Sequence, residues 1–153
     1  MVNFADVLDT RVDDIPEPKN LPQGTYIWNV YKAPRISQSK SGDWDIVEFP
    51  LKVVAAEGDV DPDELEEFGD VAGTMNRISF MFPTDPEKKN DHARSMAQLK
   101  RFLTTTLCVE GDEDSTMKEL LAGSVNCQFL AIASWRQVGE NTYVDVKNYA
   151  PLD

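Results

Sequence analysis

Apolar residues recur at every second position in five stretches of the chain, and at helical spacing in one more. Over 25–33, Tyr26, Trp28 and Val30 fall on one face and Ile27, Asn29 and Tyr31 on the other. Such alternation predicts a strand with two distinct sides. Over 44–54, Val47, Phe49, Leu51 and Val53 alternate inward. Pro50 interrupts that stretch, and a residue without an amide hydrogen predicts an edge or a bulge there. Over 74–82, Ile78, Phe80 and Phe82 oppose Arg77, Ser79 and Met81. Two more strands close the chain, one carrying Val125, Cys127, Phe129, Ala131 and Ala133, the other Val144 and Val146.

Between the third and fourth strands the period changes. Met96, Leu99, Leu103 and Leu107 follow the i, i+3, i+7, i+11 rhythm of one buried helical stripe, predicting a helix over 91–107. A shorter helix over 116–122 has Thr116 and Glu119 at capping-box spacing and Gly123 as its stop. Asp61-Pro62-Asp63-Glu64 marks another start, with Asp at the cap and Pro in the first turn, and Gly69 closes it. The Ser/Gly-rich stretch 35–43 reads as a hairpin loop. Ile15-Pro16-Glu17-Pro18 disfavours helix and predicts an extended acidic arm over residues 1–20, ahead of one domain over 21–153. The class is mainly β with helices (α+β). Five antiparallel strands with a helical connection between strands 3 and 4 fit a Greek-key barrel of the oligonucleotide-binding (OB) type. The alternative is an open antiparallel sheet packed on one helix.

Charge complicates any functional reading. The 153 residues hold 15 Lys and Arg against 27 Asp and Glu, a net charge of −12. Taken whole, that opposes a polyanionic partner, because affinity for nucleic acid comes from neutralising phosphates. The acids are clustered, however. Residues 6–17 carry −4, residues 57–70 carry −8, and Glu110, Asp112, Glu113 and Asp114 carry −4. The rest of the chain is therefore +4, and screening over about 8–10 Å lets a basic groove survive beside distant acids.

Motifs for catalysis are absent. There is no G-x-x-x-x-G-K-[ST] and no G-x-G-x-x-G to cradle phosphates. His92, the single histidine, lies in a polar helix start, so neither a triad nor a His-based metal centre is expected. Asp59, Asp61, Asp63 and Asp70 echo a calcium loop, but Glu64 stands where that loop needs Gly and Asp70 where it needs Glu. Asp59, Asp61 and Asp63 as a metal-dependent nuclease site form the weakest reading. No cofactor and no metal are expected, and the chain reads as non-enzymatic. Cys108 and Cys127 read as buried thiols of a reducing cytoplasm. No apolar run approaches a membrane span, and no export signal opens the chain.

Basic and aromatic residues instead share the outward positions. Lys32, Arg35 and Lys40 border the first hairpin, followed by Trp44; Lys52 and Arg77 lie outward on strands two and three. Arg136 and Lys147 flank the last hairpin, with Tyr143 and Tyr149 on Lys147's face. Cations to track phosphates and rings to stack bases make a single-strand interface. On that basis Lys32, Arg35, Lys40, Lys52, Arg77, Arg136 and Lys147 are candidate phosphate contacts, and Tyr31, Trp44 and Tyr143 candidate stacking rings.

Leu21-Pro22-Gln23-Gly24-Thr25-Tyr26, Ser39-Lys40-Ser41-Gly42 and Lys147-Asn148-Tyr149-Ala150-Pro151 resemble a family of small bacteriophage proteins. So does Met96-Ala-Gln-Leu-Lys-Arg-Phe-Leu103, leading to Leu120-Leu121-Ala122-Gly123. The resemblance spans residues 21–151 and carries no catalytic residue. It implies a single-stranded DNA-binding protein of a phage replication or recombination module, with an OB barrel, in the cytoplasm of an infected host. The acidic segments 57–70 and 6–17 would recruit replication or recombination proteins, and an outer strand or the arm would support a homodimer. The competing reading is an acidic protein–protein interaction module or nucleic-acid-mimicking decoy that presents carboxylates to a host enzyme.

Overall fold

The computed structural model describes Leu8 and residues 19–152. The arm predicted over 1–20 lies outside the described residues, apart from Leu8, which is helical, and Lys19 and Asn20. The elements are β1 (Gly24–Val30), β2 (Arg35–Gln38), β3 (Trp44–Ala56), α1 (Pro62–Phe68), β4 (Met75–Pro83), α2 (Lys89–Arg101), α3 (Met117–Gly123), β5 (Gln128–Val138) and β6 (Asn141–Pro151). A π-helical turn, Phe102–Thr106, extends α2.

All six strands belong to one antiparallel sheet, mainly β with a few helices around it. β3 is its spine. β4 pairs along one edge of β3 from Trp44 to Lys52, while β2 and β1 share the other edge in succession. β5 pairs β1, and β6 pairs β5. The sheet is open: the expected five-stranded closed barrel is corrected to six strands whose outer members, β4 and β6, do not form a ladder. Among the described residues one hydrogen bond spans that seam, the Asn76 amide donating to the Val144 carbonyl at 3.0 Å.

The seam is filled by rings. Phe102, carried on the π-helical turn, lies 5.1 Å from Phe49 of β3, 5.3 Å from Phe80 of β4, 5.3 Å from Phe129 of β5 and 5.3 Å from Tyr149 of β6. Three of these contacts are edge-to-face and the Phe80 contact is tilted, arrangements that complement the ring quadrupole. The helical stripe continues through Leu99, Leu103 and Leu107, all buried, whereas Met96 opens onto the surface. Deeper in the sheet, Trp28 and Tyr26 are fully buried, with the indole donating to the Ala131 carbonyl and the phenol to Pro22. Their polar ends are satisfied, as buried polar groups must be.

Three departures from the alternation have local causes. Stretch 35–43 is not all loop: Ile36 pairs with Val47 and makes β2 a sixth strand, leaving a turn closed by Ser39 and Trp44. Pro50 marks a local gap in the ladder rather than a bulge. Its carbonyl accepts from the Tyr31 amide, so its missing N–H falls where β1 has ended and β2 not yet begun. On β6, Lys147 opposes Ile132 while Ala150 opposes Leu130, which leaves one extra residue. Asn148 absorbs it with φ of 57°, a conformation that Asn tolerates better than other side chains. The bulge turns Tyr149 off the outer face of Lys147 and into the ring cluster. Likewise Cys108 is exposed rather than buried, held at φ 54° in the turn that ends the π-helical segment.

Phe102→Ala is expected to lower unfolding free energy by about 3–5 kcal/mol, the range for emptying a packed aromatic site, as read by urea denaturation. Asn148→Val is expected to cost about 1–2 kcal/mol because a β-branched residue resists that backbone. Asn148→Gly, free of that penalty, keeps the fold.

Candidate nucleic-acid interface

Outward positions of β1, β3 and β4 converge on one ring. Asn29 of β1 stands opposite Lys52 of β3, and Lys52 opposite Met75 of β4. Tyr31 follows β1 directly and crosses β3, its hydroxyl donating to Met75 Sδ at 3.4 Å. Lys52 Nζ lies 4.5 Å from the Tyr31 ring centroid and Lys32 Nζ 5.5 Å. Both distances are within cation–π range. Among the described residues neither lysine makes an ion pair. The Asn29 Oδ1 beside them is buried without a hydrogen-bond partner.

A second group lines the seam. Arg136 and Tyr143 are a cross-strand pair on β5 and β6, guanidinium to ring centroid 5.1 Å. Asp145 accepts from Arg136 Nε at 2.8 Å and from its second nitrogen at 3.5 Å, and raises the Arg136 pKa. A polar cleft of about 400 Å³ joins this pair to Arg77, Ser79 and Asn76 of β4. Arg77 lies 3.8 Å from Glu48.

The remaining candidates stand apart. Trp44 and Lys40 belong to the β2–β3 hairpin, where Ser39 donates its amide to the Trp44 carbonyl at 2.8 Å and accepts from the Trp44 amide on its hydroxyl at 3.1 Å. Trp44 keeps 37% of its surface exposed. Arg35 opens β2 opposite Glu48. Lys147 faces out from β6 opposite Ile132 and lines neither group. The structure thus unites Tyr31, Lys32 and Lys52 in one cluster and Arg77, Arg136 and Tyr143 in another.

Met75, Asn29, Glu48 and Asp145 escaped the sequence reading. Parity placed each outward, but nothing in the pattern told that Met75 would anchor a tyrosine or that two acids would sit among the cations. The acids are therefore not confined to appendages. Two of the basic candidates are ion-paired within the sheet.

The aspartates that echoed a calcium loop face separate backbone donors. Asp59 accepts from the Thr25 amide at 2.9 Å and the Thr25 hydroxyl at 2.8 Å. Asp61 caps α1 by accepting from the Asp63 amide, and Asp70 accepts from the Ala72 amide. Among the described residues no His/Cys/Asp/Glu cluster is arranged to hold a metal ion, and no helix is long and apolar enough to cross a membrane. His92 is exposed, its ring 5.6 Å from Phe82. No family model matches the chain, and no curated protein matches it in sequence.

The Thr25 bonds hold the Asp59 carboxyl below its ordinary pKa. A depressed carboxyl stabilises the fold above its unfolded value, near 4, and that contribution disappears as pH falls through the folded value. Asp59→Asn is expected to lower Tm at pH 7 and to flatten the loss of Tm between about pH 4 and pH 2, followed by circular dichroism.

Proposed function

We propose that the protein binds single-stranded DNA without catalysis and with little sequence preference, on the outer face of β1, β3 and β4. The observation that carries this reading is the Tyr31 cluster: one ring flanked by the ammonium groups of Lys32 and Lys52, neither ion-paired among the described residues. Bases stack on such rings while lysines follow the phosphates. The Arg77–Arg136 cleft extends the basic path toward the seam.

Strand order supports an OB-type reading of the sheet. Starting at β4, the order is β4-β3-β1-β5-β6, with α2 in the connection from β4 to β5. Successive antiparallel pairings leave β4 and β6 parallel at the seam. Such barrels bind oligonucleotides on the second and third strands, here β3 and β4. In this reading the protein serves a phage replication or recombination module.

The alternative, an acidic module that engages a partner protein or mimics nucleic acid, is favoured by α1, which buries none of its own residues and presents Asp63, Glu64, Glu66 and Glu67.

Fluorescence anisotropy of labelled oligo-dT at low salt tests the DNA reading. Affinity is expected to fall linearly on log–log axes as salt rises. Tyr31→Ala is expected to weaken binding by about 5- to 150-fold, the equivalent of about 1–3 kcal/mol of stacking. Lys52→Ala is expected to reduce the salt slope by about one unit. No binding at tens of micromolar protein overturns the reading and leaves the acidic module in its place.

A further inference from the structure

A second cavity opens off the seam, where the π-helical turn meets the two edge strands. It encloses about 320 Å³ and is lined by Phe80 of β4, Gln98 and Arg101 of α2, Phe102 and Thr106 of the turn, and Tyr149 of β6. Tyr149 also lines the Arg77–Arg136 cleft, so the two cavities adjoin across one ring. Half of the lining side chains are aromatic. Phe80 and Tyr149 come from opposite edges of the sheet, and each ring centroid lies 5.3 Å from that of Phe102. A planar group entering the seam therefore meets ring surface from β4, β6 and the helix together.

The polar groups of this cavity are unengaged. Thr106 keeps only 7% of its surface exposed, and among the described residues its hydroxyl makes no hydrogen bond. The Thr104 hydroxyl, by contrast, donates to the Lys100 carbonyl. A buried hydroxyl left open is uncommon, because nothing compensates its lost hydration. The π-helical turn sets it there, and such turns are frequent at functional sites. Arg101 is exposed at the rim and forms no ion pair among the described residues. No carboxylate is part of the lining. Burial raises the Tyr149 pKa, so its phenol is neutral at pH 7 and adds no negative charge.

An aromatic slot, an open hydroxyl at depth and an unpaired guanidinium at the rim select a flat anion with a polar edge. A nucleobase with its phosphate has that chemistry. A cavity of about 320 Å³, at the lower end of ligand pockets, suits one such unit. We propose that the π-turn pocket takes up a single nucleobase with its phosphate: the base enters between Phe80 and Tyr149, Thr106 bonds its polar edge, and Arg101 holds the phosphate. The strand carried on the Arg77–Arg136 cleft is the adjoining source of such a base, and in that form the inference rests on the DNA reading. A free nucleotide offers the same chemistry.

Two titrations of the full chain test this, one with thymidine monophosphate followed by amide NMR shifts, the other with short oligo-dT followed by anisotropy. The nucleotide is expected to give saturable shifts at Thr106 and Arg101 that inorganic phosphate alone does not reproduce. Thr106→Val removes the hydroxyl with little change of shape and none of charge. It is expected to leave Tm unchanged or higher, since no protein hydrogen bond is lost, yet to weaken binding about 2- to 10-fold. Arg101→Ala is expected to weaken binding about tenfold. Loss of oligo-dT affinity in Thr106→Val supports the pocket with the strand as its source. Loss of nucleotide affinity alone supports it as a free-nucleotide site, separate from the DNA reading. If neither ligand binds, or neither responds to Thr106→Val, the proposal is overturned. Oligo-dT binding that depends on Tyr31 but ignores Thr106→Val removes the pocket and leaves the DNA reading standing, so the two fail separately.

Discussion

The Phe102 ring cluster is the contact on which the rest of the structure depends. A sheet that curls without closing leaves two edge strands with unpaired backbone and an exposed interior, a liability that folded sheets must cover. Among the described residues, one hydrogen bond, Asn76 to the Val144 carbonyl, joins β4 and β6. Phe102 supplies what a ladder would have, touching rings from β3, β4, β5 and β6 at once. Phe102 is the last residue that α2 places by α-helical bonding, its amide reaching the Gln98 carbonyl, and the π-helical turn begins there. The Leu107 amide bonds back to the Phe102 carbonyl, one residue further than α-helical spacing allows. Helix, seam and sheet curvature are thus one coupled solution. Widening the seam would also displace Arg77 from Arg136 across the cleft that both line.

A net charge of −12 is compatible with an anion-binding face because neighbours at 3–6 Å outweigh distant charge at physiological salt. Within that radius the cations differ. Arg136 and Arg77 each face a carboxylate, at 2.8 and 3.8 Å. Pairs this exposed are worth under about 1 kcal/mol and exchange readily for a phosphate. Lys52 and Lys32 lie against the Tyr31 ring and, among the described residues, pair with no carboxylate. In the proposed DNA-binding reading, a phosphate arriving there would displace no carboxylate, which would make the lysine cluster the stronger attractor of the two.

The parts of this architecture that were legible from sequence are those encoded within a few residues. Asp61 and Thr116 cap α1 and α3 as their spacing predicts, since a cap is satisfied by an amide two or three residues away. Inward faces of β1 and β4, and of β3 as far as Val53, follow strict alternation, and an extra residue at Val54 ends it on β3. What escaped is set by distant partners. β2 is a strand because Val47 is there to pair with Ile36. Tyr149 faces inward because an extra residue opposite Leu130 shifts its parity, and parity once shifted inverts every later side chain. The open seam is likewise invisible to periodicity, which fixes the faces of strands but not whether the outermost two meet. Among the site residues, outward placement of Lys52 and Arg77 could be read directly. Their separation into a tyrosine-bound lysine and an acid-paired arginine could not, because Glu48 comes from the same face by a register that only pairing defines.

One interruption of the chain joins these observations. Between Val30 and Arg35 the strand that would have run unbroken along β3 leaves the ladder at Ala33-Pro34, and Pro50 faces the gap, where its missing donor goes unused. The break frees Tyr31 and Lys32 from the alternation of β1, so that the ring can lie across β3 onto Met75. It also brings Ala33 and Pro34 to the wall of an apolar groove between β2, α2 and α3 on the inner side, with Ile36 just beyond. The ring cluster and the groove are therefore consecutive along four residues yet open on opposite sides of the sheet.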